Sequence, residues 1–297
     1  MKKIVVSTFV GNKQDLNDTL LMAESVKRFS INEDILILVY YASCLQVDKH
    51  LEQVFENLNI QAESLKLDQK ILDFPYAAKV FASSSAEKIA LANDMDLIWI
   101  DPDNIFLKSL KLIKIPESKK IGLRPVYLLN IGSKINEEPN DFWKFIYRDC
   151  RTDISKIFPV ETIVDKKIVR NYFNVGFMYI KPKYGILNKW ASNFRKVLYN
   201  ENYTRFYSDN LYKVFVHQAV FSATLSELYD KNDIEIFDKS FSFSLYFHGK
   251  NPNTTNEFSE VFNLRHEWFW NIHNWEKILP FSPEINTWII DKRKLWS

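Results

Sequence analysis

The stretch Leu97-Ile98-Trp99-Ile100, which stops abruptly at Asp101-Pro102-Asp103-Asn104, constrains this chain more than any other. Four consecutive apolar residues between polar flanks predict a strand buried on both faces, as in the middle of a parallel sheet covered by helices. Open α/β sheets bind ligands just beyond the carboxyl ends of their strands, and the two carboxylates stand there. Pro102 fixes its own φ and biases Asp101 toward extended geometry, so Asp101 and Asp103 can face the same side. Their charges repel unless a cation lies between them. The pair therefore reads as a site for a hard divalent ion with oxygen ligands, with substrate phosphates completing its shell. Asp94-Met95-Asp96 has the same spacing but precedes the strand, and reads as a solvated turn.

The surroundings supply the rest of such a sheet. Residues 3–10 predict a β-branched strand and 15–29 an amphipathic helix with Leu16, Leu20, Ala23 and Phe29 inward. Residues 34–41 predict a second buried strand, 47–58 a helix, 62–67 an extended segment and 76–92 a helix with Pro75 at its start. Beyond the aspartates, 105–112 leads away, 120–126 reads as a strand, 137–150 as an aromatic-rich helix, and 152–169 takes no clear assignment. Tyr172 to Ile180 is a β-prone run interrupted by Asn174 and Gly176, which marks either a bulge or a close approach by a ligand. Residues 184–199 and 211–228 predict helices, the second carrying His217 and Gln218; 234–245 is β-prone and 251–256 a loop. Alternating strands and helices predict an α/β fold with a mainly parallel central sheet flanked by helices. Residues 1–257 form the expected main domain, with 258–297 an aromatic-rich C-terminal lobe packed on it.

A net charge of +2 argues against a strongly electrostatic nucleic-acid binder. Aromatic content of 15% with only 6 glycines points to large packed surfaces or stacking platforms. Cys44 and Cys150 have no metal-ligand spacing, so a reduced compartment is the simpler reading, with a disulfide as the alternative. Met1-Lys2-Lys3 before an apolar run resembles a signal peptide, but Ser7 and Thr8 interrupt it and no cleavage site follows. No stretch is apolar over about 18 residues, and the expected location is cytoplasmic, with peripheral contact at the inner face of a membrane offered by the C-terminal tail.

Four segments in order carry a resemblance over most of the chain. They are Ala78-Lys79-Val80-Phe81, Leu97 to Asp103, Tyr172 to Lys183, and His248-Gly249-Lys250. Together they resemble the GT-A class of nucleotide-sugar glycosyltransferases, particularly glycosyltransferase family 8, with its Asp-x-Asp strand, its Tyr-Phe-Asn-x-Gly strand and its C-terminal His-x-Gly segment. The resemblance implies a GT-A (Rossmann-like) fold and retaining transfer of a sugar from a nucleotide-diphosphate sugar, by default a uridine diphosphate sugar, to a glycan or lipid-linked saccharide.

It further implies that Asp101, Asp103 and His248 hold manganese or magnesium; the mixed oxygen and nitrogen donor set leans toward manganese, which would neutralise the departing diphosphate. Lys250 would pair with the diphosphate, Lys79 would approach the donor, and Asn174 and Gly176 would lie beside the transferred sugar. Gln218 resembles the glutamine of the family's Asp-Gln motif on the reacting face of the sugar, where His217 here replaces the acid. A neutral imidazole does not stabilise a cationic sugar as an anion does. Thr8 stands where the family usually has an acidic residue that reads the base.

Two other readings stay open. A haloacid-dehalogenase-like phosphatase also places Asp-x-Asp after an apolar strand, although close to the N terminus and without Asn104-Ile105 following. A GT-A-like protein that binds carbohydrate without catalysis has the same pattern, since function lives in the site. In the tail, Trp268, Trp270, Trp275, Trp288 and Trp296 with Lys292-Arg293-Lys294 either pack the lobe, wall the acceptor or rest at a lipid surface. Removing residues from Asp291 onward is expected to spare donor hydrolysis.

Overall fold

The computed structural model describes residues 3–43, 45–248 and 258–296; Lys250 and Cys44, named above, lie outside them. In chain order the elements are β1 Ile4–Val10, α1 Lys13–Phe29, β2 Ile35–Ala42, α2 Lys49–Asn57, β3 Ile60–Leu65, α3 Gln69–Leu72, α4 Ala77–Ala92, β4 Asp96–Ile100 and β5 Asn104–Phe106. They continue with β6 Ile121–Pro125, α5 Asp141–Asp149, β7 Pro159–Glu161, β8 Ile168–Arg170, β9 Phe173–Ile180, α6 Ile186–Tyr199 and α7 Asn210–Leu228. The last are β10 Ile234–Ile236, β11 Phe243–Ser244, β12 Asn263–Arg265 and α8 Pro283–Leu295. Seven strands form one sheet in the order β10-β6-β9-β4-β1-β2-β3, so the expected α/β architecture with a mainly parallel central sheet is what the chain adopts.

The chain divides into two compact units. The first comprises Met1–Leu65, Ile100–Lys114 and Asp238–Ser297. Here β1, β2 and β3 pair in parallel, Thr8 opposite Val39. Asn12 starts α1 by accepting from the Asp15 amide at 3.0 Å, and Lys27 and Arg28 complement the helix dipole in its last turn. A small second sheet, β11-β12-β5, follows the aspartates, with Arg265 of antiparallel β12 opposite Asn104 of β5. Around it Leu21, Ile105, Phe243, Leu264, Phe269 and Ile289 make a buried cluster, flanked by Trp270, Trp275, Trp288 and Trp296. Most tail rings are thus core-packed, whereas Trp268 is 70% exposed.

The second unit comprises Lys66–Trp99 and Ile115–Phe237. Leu97, Ile98 and Trp99 are fully buried, as an uninterrupted apolar strand requires. The run from Tyr172 is one strand carrying a bulge: Leu123 of β6 faces Met178 of β9 while the next residue, Arg124, faces Asn174. Asn174 Oδ1 accepts from the Gly176 amide at 2.7 Å, which closes the kink locally. The helix expected at 137–150 begins only at Asp141, because Asn140 caps it by accepting from the Trp143 amide. Residues 152–169, unassigned from sequence, hold the short hairpin of β7 and β8. Helix α6 begins after Gly185 at φ 66° and receives the buried Glu87 carboxylate on its Leu187 and Asn188 amides at 3.1 and 2.8 Å. Amides of a helix's first turn, which have no partner within the helix, and a carboxylate make the usual helix-start pairing.

No helix among the described residues is long and apolar enough to cross a membrane.

Candidate functional site

In the first unit the turn Asp101-Pro102-Asp103 is bracketed by residues that fix its shape. The Asn104 side chain donates to the Asp101 carbonyl at 3.0 Å and accepts from Asn263 Nδ2 at 2.9 Å. The His266 amide donates to the Asp103 carbonyl at 2.9 Å. Arg265 ends β12 and faces Asp101 and Asp103, Glu267 beyond the strand end faces the same guanidinium, and His266 between them approaches Asp18. Arg265 Nε donates to Asp103 Oδ2 at 3.0 Å, Nη1 lies 3.2 Å from Glu267 Oε1, and Nη2 lies 4.0 Å from Asp101 Oδ2. Burial works against the Arg265 charge, but Asp103, Glu267 and Asp101 outweigh it and hold the group well above its ordinary range. Asp15 is pushed up chiefly by burial, opposed by the Gly11 amide and Asn12, with the Asp101 and Asp103 charges adding.

His248, expected as third metal ligand, has a different environment. Its ring lies 4.7 Å from Phe258, edge to face, and 6.5 Å from Phe243, and partial burial pushes its pKa down. Among the described residues no group of three or more His, Cys, Asp or Glu side chains is disposed to hold an ion. The structure thus brings Asp101 and Asp103 to a guanidinium rather than to His248. This donor set does not fit a divalent ion, because the place between the carboxylates is taken by Arg265. Thr8 is fully buried, and its hydroxyl has no hydrogen-bond partner among the described residues.

In the second unit Lys79 and His217 converge on Tyr76. The Tyr76 ring lies 5.1 Å from the His217 imidazole, tilted by 31°, and 5.0 Å from the Lys79 ammonium. Tyr76 is half exposed and left-handed at φ 58°, a costly backbone for a bulky residue. His217 Nδ1 lies 2.8 Å from the Val214 carbonyl, and the His217 carbonyl accepts from the Trp190 indole at 2.9 Å. Gln218 is buried, with its side chain against the Tyr172 hydroxyl. The Lys79 ammonium is thus held in cation–π contact with a ring that also packs against the His217 imidazole.

Sequence reasoning missed Arg265, Glu267 and Tyr76. Arg265 is the last residue of a strand only three residues long, which pairs with residues some 160 positions away, and Glu267 lies beyond that strand. Tyr76 was read only as a helix start.

Residues 7–213 match the family described as the Rhodobacterales glycosyltransferase domain. An active-site mutant of LgtC is similar in structure at 13% identity and a TM-score of 0.55, covering 97% of this chain and 95% of that one. The galactosyltransferase LgtC in complex with donor and acceptor sugar analogues is similar at 12% identity and 0.51, over 96% and 99%. The glycosyltransferase GlyE of Streptococcus pneumoniae TIGR4 is similar at 12% and 0.51, over 99% of this chain and 60% of its own. At such identities the likeness shows the fold, that of the GT-A glycosyltransferases. No curated protein matches the sequence.

Proposed function

We propose that this chain, which belongs to the Rhodobacterales glycosyltransferase domain family, moves a sugar from a nucleotide-diphosphate sugar to a hydroxyl of a glycan or lipid-linked saccharide. The observation that carries the reading is the carboxylate turn Asp101-Pro102-Asp103, placed directly after the fully buried Leu97, Ile98, Trp99 and Ile100 in a chain of that family. The fold and family leave the phosphatase alternative without support.

The proposed donor is a uridine diphosphate sugar, with Thr8 at the base, Lys79 and Lys250 on the diphosphate, and Asn174 and Gly176 beside the sugar. Gln218 and His217 take the reacting face, and Asp101 and Asp103 the diphosphate side. Residues 1–257 form the catalytic domain and 258–297 its extension; the working location is cytoplasmic, peripheral at a membrane where the acceptor is lipid-linked. Manganese or magnesium on Asp101, Asp103 and His248 is the ligation the family resemblance implies, whereas in this structure Asp103 is engaged by Arg265.

Transfer with retention breaks the bond between the anomeric carbon and the diphosphate oxygen, which leaves with the electron pair. The acceptor oxygen bonds to the same face, and its proton passes to the departing phosphate oxygen. Gln218 contributes a neutral amide dipole beside the developing positive charge, and the imidazole of His217 adds no compensating anion. Product anomers followed by NMR with an α-linked donor test this; a purely β-linked product refutes retention.

A binding-only reading is favoured by one observation, the capture of Asp103 by an internal cation. Release of uridine diphosphate from a panel of nucleotide sugars separates the two: turnover supports the transferase, whereas saturable binding with no release supports the binder.

A further inference from the structure

Arg265 stands where an ion was expected, and its position is fixed from several sides. It ends β12 opposite Asn104, whose side chain is tied to Asn263 and to the Asp101 carbonyl. Glu267, which faces Nη1, is itself held by Ser244 Oγ at 3.1 Å and by a left-handed backbone at φ 47°. The three carboxylates around the guanidinium are all mostly shielded from water, as is Arg265 itself. A guanidinium keeps its proton at any working pH, and its fork suits carboxylates, so this cation cannot be removed by titration. A divalent ion would need the same oxygens at about 2.0–2.6 Å and would have to displace a shielded, charged partner.

We propose that Arg265 is the resident cation of the Asp101-Pro102-Asp103 turn, so that those carboxylates take no divalent ion and the chain handles its nucleotide-sugar donor without one. The donor half of this statement rests on the glycosyltransferase reading; the ion half does not. The charge of the diphosphate then falls to lysines of the chain. A corollary follows from charge alone. Removing the guanidinium leaves Asp101, Asp103 and Glu267 without their counter-charge, and a free cation drawn to the vacated position would relieve their mutual repulsion.

The test titrates the full chain with manganese alone, reading free Mn2+ by electron paramagnetic resonance, and separately measures nucleotide-sugar hydrolysis with excess chelator. Wild type is expected to show no binding that Asp103→Asn removes, Arg265→Met to bind one ion at least about tenfold tighter than wild type, and wild-type hydrolysis to be unchanged by chelator. Tight one-to-one binding by wild type that Asp103→Asn abolishes overturns the proposal, as does hydrolysis that chelator stops. Neither outcome needs an Arg265 variant, so misfolding of Arg265→Met does not shield the idea. If no nucleotide sugar is hydrolysed under any condition, the transferase reading fails while the manganese titration still decides the role of Arg265.

Discussion

Arg265 Nε donates to Asp103 Oδ2 at 3.0 Å, joining two residues 162 positions apart in the chain. The pair closes the turn after β4 onto β12, and couples the residue best marked by sequence to one that sequence did not mark.

Asp103→Asn is therefore expected to do two things. It removes the charge partner of a shielded guanidinium, which costs about 1–3 kcal/mol of stability, and, by releasing Arg265 and loosening the turn beside the proposed donor, it lowers donor turnover. Urea unfolding beside an activity assay checks both; a variant with wild-type turnover would remove Asp103 from the site.

Tyr76→Gly separates strain from function. Glycine relieves a left-handed backbone that costs a bulky residue roughly 1–2 kcal/mol, while losing the ring contacts to His217 and Lys79, worth about 0.5–1.5 kcal/mol. Stability is expected to stay near wild type, with turnover falling severalfold. A thermal melt and steady-state kinetics read the two effects, and equal activity in Tyr76→Gly would make the ring mere surface.

Asp18 and His266 oppose each other in pH dependence. Burial, against the Gln14 hydrogen bonds and the Arg293 charge, raises Asp18 from 3.8 to about 6. Burial, with the Arg293 charge adding, lowers His266 from 6.5 to about 3, so their 3.7 Å approach is no ion pair at neutral pH. Between the two Asp18 values the folded state keeps a proton that the unfolded chain has lost, so the Asp18 contribution falls as pH rises. Between the two His266 values the unfolded chain holds a proton that the folded state refuses, so that contribution rises with pH. The two nearly cancel from about pH 4 to 6. Relative to wild type, Asp18→Asn should steepen the loss of stability on acidification, and His266→Gln should reverse it. Unfolding curves at stepped pH decide; parallel profiles in all three proteins would refute the assignments.

Truncation from Asp291 onward is expected to cost stability rather than only acceptor contact. Lys292 pairs with Glu24 of α1 at 2.8 Å, Arg293 lies over Trp270 at 5.9 Å, and Trp296 packs against the cluster around β5. A loss of about 1–3 kcal/mol follows from the removed contacts. Trp268→Ala is the cleaner probe of the acceptor side, since its exposed ring carries no core packing. Its stability should stay within about 0.5 kcal/mol, with acceptor KM raised. Unchanged KM would return the tail to a purely structural role.

What sequence determined by itself was whatever depends on local period. Leu97 to Ile100 announced a strand buried on both faces, Asp101-Pro102-Asp103 announced where it stops, and strand-helix alternation announced the sheet, because short patterns of burial fix those features without reference to distant chain. The interruption at Asn174 and Gly176 was legible as a bulge or an approach, and the structure has the bulge. The counter-charge of the carboxylates was not legible. Which cation faces Asp103 depends on β12 pairing with β5 in one register, and a shift of one residue would have turned His266 to the carboxylates in place of Arg265. Only the tertiary structure sets that register, through the Asn104–Asn263 hydrogen bond and the buried cluster beneath it.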